Sequence, residues 1–89
     1  MSTKIVDQMT PAQCRAARAL LDMTQTQLAE AAFVGLSTVV DFEKDRREVS
    51  EAAVAKMRRA LETAGIEFLP ENEGGEGLRV RRPRTRKKS

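Results

Sequence analysis

Apolar residues recur along this chain with two spacings, and the point where one gives way to the other divides it. Cys14, Ala17 and Leu21 fall three and four positions apart, the repeat that puts side chains on one face of an α-helix. Thr10-Pro11-Ala12-Gln13 precedes that stripe. Threonine can cap the helix, proline suits its first position and glutamine completes a capping box. The pattern predicts a first helix from Pro11 to near Asp22, with Arg15 and Arg18 turned away from its apolar face. Thr24 and Gln27 repeat the capping box and open a second helix from about Gln25 to Ala32, with Leu28, Ala29 and Ala32 inward. Val34, Val39 and Phe42 predict a third helix from about Leu36 to Lys44 that packs across the second. Asp45-Arg46-Arg47-Glu48 reads as a polar loop. A fourth helix begins after Ser50 and runs to about Ala64, with Val54, Met57 and Leu61 on its stripe and Gly65 as its stop.

Beyond Gly65 the apolar positions alternate. Ile66 and Phe68 share one face of an extended segment and Leu78 and Val80 share one face of another, with Pro, Asn and Gly residues between them. This predicts a β-hairpin or a pair of extended arms. An isolated two-stranded hairpin is marginal in water. These four side chains must therefore dock, either on the helical core or on the same segment of a second subunit.

Two short helices separated by a tight turn, Thr24 to Glu43, have helix-turn-helix spacing. Leu36, Ser37, Val40 and Asp41 project to one outer side of the second, the side that enters the major groove in such motifs. At Thr24-Gln25, Leu28-Ala29-Glu30, Ala32, Val34, Ser37-Thr38-Val39 and Phe42-Glu43 the chain resembles the lambda-repressor-like, XRE-type family of bacterial and phage transcriptional regulators, over roughly residues 10 to 64. The segments from Ala64 to Leu69 and from Glu73 to Arg81 are similar to a small alphaproteobacterial subgroup. The resemblance implies a mainly α fold: a lambda-repressor-like bundle of four helices with a C-terminal β-hairpin or extended arm. Three positions depart from the family pattern. Phe33 stands where a turn glycine is usual, which predicts a rebuilt turn because a side chain disfavours the left-handed conformation. Gly35 replaces a capping Ser or Thr and offers no side-chain acceptor. Asp45 replaces another glycine, a mild change because Asp tolerates that conformation.

With 89 residues the chain is one small domain, which buries only about 60% of its unfolded surface and gains from a partner subunit. Its net charge of +3 is unevenly spread. Arg79 to Ser89 holds seven basic residues and no acidic one, which leaves 9 basic and 13 acidic residues, net −4, in the first 78. Such a basic block is usually a solvated arm, and beside a helix-turn-helix it would gain phosphate contacts by releasing counterions. No apolar run approaches the roughly 20 residues of a membrane span. Residues 1–9 lack the apolar core of a secretory signal, so the expected location is cytoplasmic. One cysteine and no histidine leave no disulfide and no usual zinc spacing, so neither metal nor cofactor is expected. Cys14 sits on an apolar stripe as a small hydrophobe. Scattered carboxylates and the lack of a glycine-rich phosphate loop argue against an enzyme.

The resemblance implies a division of labour. Gln25 corresponds to a glutamine with which family members fix the DNA backbone, at a helix N-terminus suited to phosphate. Base reading falls to Leu36, Ser37, Thr38, Val40 and Asp41, with Arg46 and Arg47 as phosphate ligands or as ion-pair partners of Asp45 and Glu48. Ser37 and Thr38 can bond several bases, Asp41 could accept from cytosine N4, and Leu36 or Val40 could touch a thymine methyl. Exposed Leu36 and Val40 suit a protein interface as well. Arg58 and Arg59 read as a solvated face of the fourth helix. The expected protein is a DNA-binding transcriptional regulator that acts as a homodimer on paired half-sites of double-stranded DNA, with Ile66, Phe68, Leu78 and Val80 at the dimer interface. The alternative is a helix-turn-helix-derived antiactivator or antitoxin-like protein that binds another regulator. The expected division is an N-terminal tail (1–9), the helix-turn-helix domain (10–64), an extended or hairpin dimerisation element (65–82) and a basic flexible tail (83–89).

Overall fold

The computed structural model describes residues 9–72 and 75–80. The basic run from Arg81 to Ser89 lies outside the described residues. Four helices, α1 (Pro11–Leu21), α2 (Gln25–Ala32), α3 (Leu36–Glu43) and α4 (Glu51–Ala64), precede two strands, β1 (Ile66–Asn72) and β2 (Gly75–Val80). The bounds follow from local chemistry. Thr10 and Thr24 each accept the backbone N–H of a glutamine three residues on, and that glutamine's side chain accepts the cap's own N–H, so both capping boxes form. Ser50 caps α4 through the N–H of Ala53. Gly35 starts α3 with no side-chain hydrogen bond, as glycine must.

The first three helices end alike. A left-handed residue follows each, directly after α1 and α2 and one residue later, beyond Lys44, after α3, and the next N–H reaches back five residues: Met23 to Arg18 at 2.9 Å, Val34 to Ala29 at 3.1 Å, Arg46 to Asp41 at 3.0 Å. This is the Schellman closure. Its left-handed residues are Asp22 (φ 59°), Phe33 (φ 60°) and Asp45 (φ 55°). Aspartate tolerates the conformation; phenylalanine does not, and bears a cost of about 1 kcal/mol or more. The rebuilt turn expected at Phe33 does not occur. Two backbone hydrogen bonds hold the tight closure in place, and the residue absorbs the strain.

The core gathers Cys14 and Ala17 of α1, Leu28, Ala29 and Ala32 of α2, Val39 of α3, and Val54, Met57 and Leu61 of α4. Met9 joins it and is almost fully buried, so the position expected to end an N-terminal tail is a core residue. β1 and β2 pair antiparallel, with Ile66 opposite Val80 and Phe68 opposite Leu78. β2 lies against α1 and β1 against α4. Ile66 is fully buried by its own chain, and Phe68 and Leu78 pack half-buried on the same core. Of the two docking modes open to the hairpin, the chain's own core takes Ile66, which leaves it no surface for a subunit contact.

Candidate nucleic-acid interface

One buried carboxylate fixes the axis of α3. Glu43, the last residue of α3, is the buried polar residue of the described core, 3% exposed. It follows Val39 by one helical turn and so points inward. Arg18 of α1 meets it with both arms of the guanidinium, Nε to Oε2 at 2.6 Å and Nη2 to Oε1 at 2.7 Å. The Cys14 thiol donates to Oε2 at 3.1 Å, and the Gln25 amide at the start of α2 donates to Oε1 at 3.0 Å. Burial alone would push the Glu43 carboxyl up. The hydrogen bonds from Arg18, Cys14 and Gln25, with the charge of Arg18, hold it below the usual glutamate value instead. Burial pushes the Cys14 thiol up, and its bond to Glu43 adds to that, so it stays protonated. Arg18 also donates to the carbonyl of Met23, between α1 and α2. The side chains that lock α3 therefore come from both helices beneath it.

This corrects the reading of α1. Arg18 does not turn away but reaches inward to Glu43, whereas Arg15 is exposed as expected, with its guanidinium donating to the Glu43 carbonyl. The signal was in the spacing, since Arg18 follows Cys14 by four residues and shares its stripe, while Glu43 shares the stripe of Val39. Two opposite charges on two inward faces are a pair waiting to form.

Gln25 sits at the rim of a shallow groove lined also by Arg15, Arg18, Asp22, Thr24, Glu43 and Lys44. Arg15 and Lys44 are exposed and stand beside the N-terminus of α2, where backbone N–H groups and the helix dipole favour an anion. The sequence reading missed both cations, because the fold brings them from α1 and from the end of α3. On the outer side of α3, Ser37 and Leu36 are exposed, Leu36 by 46%, and Thr38 and Val40 are half-buried.

Asp41 is not a free acceptor. Arg47 Nε lies 2.8 Å from Oδ2 and an Arg46 guanidinium nitrogen 3.5 Å from Oδ1, so both oxygens face arginines from the following loop. The Arg47 hydrogen bond leads in holding the Asp41 carboxyl below its ordinary value. Arg46 and Arg47 therefore pair with α3 itself: of the two expected readings, phosphate ligands or ion pairs with Asp45 and Glu48, the ion pairing occurs, with Asp41 as the partner. Arg58 is no solvated side chain either. It pairs with Glu62 at 3.0 Å and lies 4.7 Å over the Phe68 ring, tying α4 to β1. Arg59 is exposed.

The profile of the helix-turn-helix family matches residues 15–68, from the middle of α1 into β1. The chain belongs to the XRE-type helix-turn-helix family. Its domain is that of DNA-binding transcription regulators. No curated protein matches the chain. Among the described residues no helix is long and apolar enough to cross a membrane, and no acid or cysteine cluster could hold a metal ion.

Proposed function

We propose that this XRE-type protein is a sequence-specific transcriptional regulator of the cytoplasm that lays α3 in the major groove and binds paired half-sites as a homodimer. The observation that carries the reading is the locked helix. Glu43 fastens α3 to α1 and α2, while Leu36 and Ser37 are exposed and Thr38 and Val40 half-buried on that helix. A rigid axis with an uncommitted face is what base reading requires. The groove of Gln25, Arg15 and Lys44 suits a backbone phosphate, which fixes register without reading sequence.

None of the α3 side chains offers a bidentate base contact, so each reads weakly, and two half-sites supply what one lacks. The dimer contact is proposed at the hairpin, through the outer strand edges and the half-exposed parts of Phe68 and Leu78, with Val80 beside them. Ile66 supports it from within. The basic run beyond Arg79 adds affinity by tracking phosphates in any sequence. Footprinting on duplex DNA tests the whole reading. It should show two protected half-sites about 34 Å apart, one helical turn. Saturation of a single half-site by a monomer would overturn it.

A further inference from the structure

We propose that the groove between the end of α2 and the middle of α4, walled by Phe33 and rimmed by Lys56 and Arg59, docks an acidic, apolar segment of a partner protein. Such docking does not depend on DNA binding.

Phe33 occupies the left-handed position that Asp22 and Asp45 fill at the other two Schellman closures, and it is 87% exposed. Its ring therefore carries backbone strain and gives no burial in return within this chain. Strained conformations that folding does not reward cluster at binding surfaces. Beside the ring, Ala31, Ala32, Ala60 and Thr63 make a floor of small side chains under about 510 Å³ of open volume. A bulky apolar side chain fits over such a floor with one side against the ring.

Charge selects the occupant. Lys56 and Arg59, three residues apart on α4, both line the groove and are exposed, while no carboxylate lines it. Among the described residues no salt bridge engages either cation. An anionic segment completes them. A second copy, paired through this groove about a two-fold axis, would bring Lys56 and Arg59 against themselves. No α3 residue lines the groove, so it stays open while α3 occupies DNA, and its alanine floor offers phosphates nothing. The occupant is a protein segment with carboxylates flanking an aromatic or long aliphatic side chain.

The full chain is used to select from a displayed library of random peptides, and an enriched sequence is synthesised for titration. Enriched peptides should pair Asp or Glu with Leu, Ile, Phe or Trp. The synthetic peptide should bind Phe33→Gly, and Lys56→Glu with Arg59→Glu, about tenfold or more weaker than the wild type. Phe33→Gly keeps its fold, since glycine suits a positive φ. No enrichment, enrichment without acidic bias, or equal binding to wild type and both variants overturns the proposal. So does loss of dimer mass in sedimentation on Phe33→Gly, which would make the second copy the occupant. Weakening of duplex DNA binding by Phe33→Gly to the same degree as peptide binding also overturns it, by assigning the ring to the DNA surface.

Discussion

Arg18 and Glu43 meet through both arms of the guanidinium, at 2.6 and 2.7 Å, across the junction of the first and third helices. The Arg18 side chain is mostly buried and that of Glu43 almost wholly so. Removal of one partner strands the other's charge in a low-dielectric site. Arg18→Met should therefore cost about 3 to 5 kcal/mol in urea unfolding, whereas Arg18→Met with Glu43→Leu should recover most of the loss. Equal loss in the single and double variants would show that the pair contributes through packing alone.

The same pair sets an acid limit. Glu43 has a folded-state value below its unfolded one, so its contribution is complete above the unfolded glutamate value of about 4.3 and is lost as pH falls through the depressed folded value. Stability should fall with acid in that window, and Glu43→Gln, less stable at neutral pH, should show a flatter dependence there. Thermal unfolding from pH 7 to 3 measures both curves. Parallel curves for the two proteins would assign the acid loss to other carboxylates.

Much of this was legible in the residues. Capping boxes at Thr10 and Thr24 and the stripes through Leu28, Val54, Met57 and Leu61 mark the helices, and alternation from Ile66 to Phe68 marks the hairpin, because each is a local signal with one period. What was not legible depends on which faces meet. Arg18 looked like a surface residue until Glu43 arrived opposite it from 25 positions away. Gln25 read as a free amide until the same carboxylate accepted its hydrogen bond. Phe33 is the reverse case: local preference argued for a rebuilt turn, and the backbone closure overrode it.

Phe33→Gly should stabilise the domain by about 1 kcal/mol, since glycine adopts the left-handed position without the Cβ penalty and the lost ring was exposed. Guanidinium unfolding with unchanged slope is the measure. A destabilised variant would mean that the ring packs against its own chain more than its exposure indicates.

Asp41 of α3 separates two roles under the proposed reading. If it reads a base, it must leave Arg46 and Arg47, and Asp41→Asn should shift preference at one half-site position by about 1 to 3 kcal/mol. The pairing favours the other outcome. With Arg47 2.8 Å and Arg46 3.5 Å away, Asp41 restrains two cations that phosphates would otherwise attract. Asp41→Asn removes the charge that holds both and, with α3 in the groove as proposed, a negative charge beside DNA, so affinity should rise alike on every duplex. The plot of log affinity against log salt should steepen by about 0.9 for each additional phosphate neutralised. Ser37→Ala is the control, because Ser37 is exposed on the same helix and has no cation to release; it should alter sequence preference while leaving the salt slope unchanged. A change of preference on Asp41→Asn with no change of slope would return the carboxylate to base reading.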